Sequence, residues 1–91
     1  AVVGRSEERG EQRVQEIRAL GGEAQFLKGD VSSRAEIESI HSAAMRALEH
    51  VDILVNGAGV NSAQPFFDID DETWSRILTT NLTAIHWACQ V

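Results

Sequence analysis

Apolar positions along the chain follow two rhythms. Short apolar runs stand at Ala1–Val3 and, broken only by Asp52, at Val51–Val55, and a weaker alternation around Phe26 covers Ala24–Lys28. Runs of that length bounded by turn residues predict three short strands. Between them the spacing changes to that of helices. Val14, Ile17 and Leu20 share one face of a segment that opens with Ser6 as an N-cap and Glu7 and Glu8 in the first turn, and closes at Gly21-Gly22. This predicts a first helix from Ser6 to Leu20. A capping-box spacing, Ser33 with Glu36, opens a second helix whose face is Ile37, Ile40, Ala44, Ala47 and Leu48, with Glu36, Glu38, Arg46 and Glu49 mostly off it. After the turn-forming Asn56-Gly57-Ala58-Gly59, residues 60–70, with Pro65 among them, read as a loop. From Asp71 onward Trp74, Ile77, Leu78, Leu82, Ile85, Ala88 and Cys89 repeat at helical spacing to the end of the chain.

Three strands alternating with three helices over short connections predict a parallel sheet with crossover helices, the doubly wound α/β class of Rossmann type. With 91 residues the chain holds one domain, residues 1–91, and excludes a second. It begins with Ala1 rather than Met and ends within a helical pattern, which predicts a partial domain truncated at both ends.

Composition narrows the partners. A net charge of −6 with eight scattered basic residues argues against nucleic acid and anionic membranes. No apolar run is long enough for a membrane span, and the N-terminus has no signal-peptide pattern. The single Cys89 forms no internal disulfide, fits a reducing cytoplasm and reads as a small apolar filler on a helix face. His41 and His50 lack metal-ligand spacing and read as solvated or helix-end residues, so no metal site is expected.

Four places carry candidate chemistry. The first strand ends in Gly4-Arg5, where a dinucleotide-binding unit for NAD would place an acid on the ribose hydroxyls. A guanidinium instead suits a phosphate, and Gly4 leaves room for it, so NADP is favoured over NAD; a plain surface arginine is the alternative. Gly29-Asp30-Val31 ends the second strand, where Asp30 has the chemistry to accept from an exocyclic amine or merely to cap the next helix. Asn56-Gly57-Ala58-Gly59 permits close approach of backbone to a ribose or nicotinamide, and equally suits a tight turn. Asn81 falls among Ile77, Leu78, Leu82 and Ile85 near an apolar face, where a buried amide requires partners. It either bends the helix and frees a backbone group for a water, or is an ordinary satisfied polar residue.

In that order and spacing, Gly4-Arg5, Gly29-Asp30-Val31, Ile53 through Gly59, Trp74 and Thr80-Asn81-Leu82 resemble the short-chain dehydrogenases/reductases across all 91 residues. The resemblance corresponds to the second strand through the helix after the fourth strand of that family. It implies that Asp30 bonds the adenine amino group, the Val31 backbone contacts the adenine ring, and Asn56, Ala58 and Gly59 line the adenosine ribose. It also implies that Asn81 is the asparagine of the catalytic tetrad, holding a water in the proton relay. Gly57 departs from the pattern, since the family more often has a second Asn there.

The family's Thr-Gly-x-x-x-Gly-x-Gly turn, its Ser and its Tyr-x-x-x-Lys pair are not in the chain, which has no Tyr and a single Lys, Lys28. The resemblance thus implies an NAD(P)-dependent oxidoreductase interconverting an alcohol and a carbonyl, acting on a small molecule as a homodimer or homotetramer. The segment by itself is expected to be inactive and marginally stable, because the Rossmann strand order puts a strand that this chain lacks between its first and third. The rival is a nucleotide-binding protein without catalysis. Ile85 and Trp87, near the end of the last helix, suit either a subunit interface or the core.

Overall fold

A computed structural model describes residues 1–91. Strand β1 (Val2–Gly4) leads into helix α1 (Glu7–Ala19), strand β2 (Phe26–Lys28) and helix α2 (Arg34–Leu48). Two further helices follow, α3 (Asp71–Leu78) and α4 (Ala84–Gln90), joined by a π-helical turn at Thr79–Thr83. Strands β1 and β2 pair in parallel, Val2 with Phe26 and Gly4 with Lys28.

Local chemistry fixes the helix ends. The Ser6 hydroxyl accepts from the Arg9 amide and caps α1, with Glu7 and Glu8 in the first turn. Ser33 caps α2 by accepting from the Glu36 amide at 3.4 Å. The reciprocal half of the expected capping box does not form: Glu36 Oε2 instead accepts from the Asp30 amide at 2.7 Å. Helix α3 is capped by Asp70, and the loop before it contains a short 3-10 turn, Phe66–Asp68, that the polar pattern did not signal.

The helices cover both faces of the sheet. Helix α1 packs on β1 and β2, while α2 packs on β2 and α4. A Cβ at Gly10 of α1 would meet the Phe26 ring, whereas one at Gly29, an odd number of residues further along the strand direction, would meet Ile40 of α2. Adjacent strand residues point to opposite faces, so α1 and α2 lie on opposite sides. Val14 is 1% exposed against the sheet, and the buried apolar set is completed by Ile37, Ala44 and Ala84. Gly10 is also needed, since a Cβ there would stand 2.1 Å from the Phe26 ring.

The third predicted strand is not realised. Val51–Val55 joins no ladder, and the sheet has two strands. Its side chains are open, Ile53 81% and Val55 82% exposed. The physical reason is the absence of a neighbour. A groove of about 850 Å³ separates Val3 from Ile53 and Leu54, with α2 and α4 residues on its floor, so neither backbone reaches a hydrogen-bonding partner.

The missing coverage shows in the dimensions. The radius of gyration is 15.0 Å, against about 12 Å for a compact domain of this length. The accessible surface is 6799 Å², against roughly 5,200 Å² for a folded monomer of this mass.

Candidate functional site

Parallel pairing sets the carboxyl ends of β1 and β2 side by side, because the Gly29 amide donates to the Gly4 carbonyl at 3.0 Å. The residues that follow each strand therefore meet. Arg5 Nη1 stands 3.9 Å from Asp30 Oδ2, with the arginine side chain 70% exposed. Asp30 Oδ1 accepts from both the amide and the hydroxyl of Ser32, at 2.9 and 2.8 Å. The Ser32 amide, then its hydroxyl, hold the Asp30 carboxyl below its ordinary range; partial burial opposes them and Arg5 adds to them. Ser32 was not anticipated, although an aspartate followed two residues on by a serine is the spacing of an Asx-turn. Arg5 shares a second cavity, of about 540 Å³, with Gly4, Ser6, Arg9 and Arg13.

A second cluster forms around Asn81. Its Oδ1 accepts from the Val60 amide at 2.8 Å and its Nδ2 donates to the Val60 carbonyl at 2.9 Å, so one side chain grips both faces of one peptide position. Asn81 is exposed rather than buried in an apolar face. It sits in the middle of the π turn, where the Ala84 amide bonds back to the Thr79 carbonyl five residues earlier. A π turn widens the helix, as one reading of Asn81 expects, while the two bonds to Val60 satisfy its amide, as the other expects. Gly59 is drawn alongside, since a Cβ there would stand 3.6 Å from Asn81 Oδ1.

Val31, Asn56 and Ala58 line the 850 Å³ groove, with Cys89 across from Asn56 at 3.8 Å between Nδ2 and Sγ. Cys89 is exposed, which corrects its reading as apolar filler: the groove it would fill is open. The structure thus joins Gly4, Arg5 and Asp30 at one ridge, Val31 with Asn56 and Ala58 along one groove, and Gly59 with Asn81 through Val60. It does not bring the three groups into one cavity. No three His, Cys, Asp or Glu side chains cluster for a metal ion. No helix is long and apolar enough to cross a membrane.

The ridge suits one end of a dinucleotide. Asp30 Oδ2 keeps lone pairs for an amine, Arg5 keeps exposed donors for a phosphate, and a Cβ at Gly4 would find only the Phe26 ring, at 3.8 Å.

Comparison with known proteins gives the class. The family model for short chain dehydrogenases matches residues 1–91, and the chain belongs to that family. It is 30% identical over 88 residues to the 3-oxoacyl-[acyl-carrier-protein] reductase of Chlamydia pneumoniae, covering 97% of this chain and 36% of that protein. It is 36% identical over 87 residues to 3beta-hydroxysteroid dehydrogenase 1 of Eggerthella lenta, covering 94% of this chain and 33% of that one. Among solved structures, an actinorhodin polyketide ketoreductase variant with NADPH superposes with a TM-score of 0.92 at 34% identity, over 98% of this chain and 34% of that chain. The chain therefore spans about a third of the length of the relatives it matches. The fold is a partial Rossmann-type α/β unit, and the family is one of oxidoreductases.

Proposed function

We propose that this chain is the cofactor-side portion of an NADP(H)-preferring oxidoreductase that interconverts an alcohol and a carbonyl on a small molecule. The observation that carries the cofactor preference is the ridge: a guanidinium rather than a carboxylate follows β1, with Asp30 beside it. In this reading Arg5 takes the 2′-phosphate over the ledge at Gly4, Asp30 Oδ2 takes the adenine amine, and the Val31 backbone meets the adenine ring. Asn56, Ala58 and Gly59 border the ribose. Nicotinamide, when bound, supplies or accepts the hydride.

Asn81 acts in this reading through the backbone. Its amide is already spent on Val60, so the groups it offers a proton-relay water are carbonyls freed by the π turn. The chain has no tyrosine, and its single lysine, Lys28, lies on β2. The segment by itself is therefore inactive. The exposed stripe of Trp74, Leu78, Leu82 and Ile85 supports a subunit contact in a homodimer or homotetramer, and the free thiol supports a cytoplasmic setting.

The test uses the whole protein that carries this segment. It is expected to oxidise NADPH in the presence of some member of a panel of ketones and ketoacyl thioesters, and to lose its preference over NADH in Arg5→Ala. NADPH binding without turnover on any carbonyl would favour a nucleotide-binding protein, and unchanged discrimination in the variant would remove Arg5 from the phosphate site.

A further inference from the structure

We propose that Asp30, locked by Ser32, is the positioning residue for Arg5, and so contributes to the choice of a 2′-phosphorylated dinucleotide. The proposal rests on the reading of Arg5 as the phosphate ligand.

The geometry gives Asp30 this second role. Both hydrogen bonds from Ser32 fall on Oδ1, and the Glu36 carboxylate ties down the Asp30 amide. The carboxylate is thus fixed in orientation, and Oδ2 is the oxygen that faces Arg5. Asp30 is the ion-pair partner of Arg5, whose long side chain is otherwise free in solvent. At 3.9 Å the pair lies beyond hydrogen-bonding distance, so the carboxylate attracts the guanidinium without using up its donors. A phosphate needs that donor fork, and a fork already held near the strand end loses less freedom on binding.

One effect opposes this. The carboxylate repels a phosphate placed on the far side of the guanidinium. That separation approaches the screening length of about 8 Å at physiological ionic strength, and both groups are solvated, so the repulsion is weak. Positioning wins by a small margin. Removing it should lower the ratio of NADPH to NADH affinity by roughly 1.5-fold to threefold, the lower part of the range of an exposed ion pair.

The experiment measures dissociation constants for NADPH and NADH by nicotinamide fluorescence in the whole protein, for Arg5→Ala, Asp30→Asn, Ser32→Ala and the Asp30→Asn/Arg5→Ala double variant. Arg5→Ala should abolish most of the discrimination. Asp30→Asn should lower it roughly 1.5-fold to threefold, Ser32→Ala should lower it less because the Ser32 amide still bonds Oδ1, and Asp30→Asn should leave it unchanged once Arg5 is gone. Ser32→Ala retains the charge and carries the test if Asp30→Asn fails to fold. Equal weakening of both cofactors in Asp30→Asn and Ser32→Ala, or a gain in NADPH affinity, would overturn the positioning role while the Arg5 result leaves the cofactor reading standing. An Arg5→Ala variant with undiminished discrimination would overturn both.

Discussion

Replacing Asn81 by Ala should release the loop at Val60. The side chain makes two hydrogen bonds to one backbone position, at 2.8 and 2.9 Å, bridging 21 residues of sequence. Each such bond contributes about 0.5–1.5 kcal/mol net. Asn81 is exposed, so water replaces part of the loss and the lower half of the summed range applies, about 1–2 kcal/mol. That corresponds to an opening equilibrium raised roughly fivefold to thirtyfold. Amide hydrogen exchange at Val60 in the whole protein reads this directly, because its N–H donates to Asn81 Oδ1. Asn81→Asp separates the two bonds: it keeps an acceptor for the Val60 amide but sets a carboxylate against the Val60 carbonyl. Its exchange rate should fall between those of the wild type and Asn81→Ala. An unchanged rate at Val60 in Asn81→Ala would refute the clamp and return Asn81 to an incidental place in the π turn.

Gly10→Ala should destabilise the fold by about 1–3 kcal/mol, because its Cβ would stand 2.6 Å from Phe26 Cγ, close to the ring's attachment, as well as 2.1 Å from Cδ2. The gain in helix propensity is smaller; a urea midpoint that holds or rises would show that the ring moves aside freely. Asp30 is held below its ordinary pKa chiefly by the Ser32 amide. A depressed carboxyl contributes stability above the unfolded pKa, about 4, and loses it as pH falls through the folded value. The thermal midpoint of wild type should therefore exceed that of Asp30→Asn at pH 7 and approach it below about pH 4; a gap that widens with acid would contradict the bonding. Val55 is 82% exposed, so Val55→Thr should leave the 91-residue chain unaffected while destabilising the whole protein, where a neighbouring strand would cover it. Equal effects in the two, compared by denaturant titration, would mean that the groove stays open.

The sequence made the helices plain because their signals are local. Ser6, Ser33 and the glycines at 21 and 22 act within a few residues, and the observed boundaries of α1 and α2 follow them closely. The fold class was legible for a related reason: the order of apolar runs and helical faces needs no knowledge of distant contacts. Val51–Val55 departs from the predicted strand because an apolar run meets only half of what a strand requires. The other half is a hydrogen-bonding neighbour, which is a property of the sheet and not of the run. At the site, Arg5 and Asp30 were each visible from strand-end position, yet their proximity emerged only from the β1–β2 register. Val60 was invisible as Asn81's partner, since a backbone contact leaves no mark on residue type.

The same dependence on neighbours divides the site into two parts of unequal autonomy. The Arg5–Asp30 ridge stands on a ladder that forms within this chain, and Ser32 and Glu36, the groups that fix Asp30, are two and six residues away. Nothing in that arrangement calls on residues outside the segment. The loop at 56–60 is different. It follows an unpaired run and borders an open groove, and its tie to α3–α4 is the single side chain of Asn81 together with the long Asn56–Cys89 contact. That groove also exposes Ile53, Leu54 and Leu48. The Arg5–Asp30 ridge should consequently be more persistently shaped than the loop at 56–60, which borders the open groove between Val3 and Leu54.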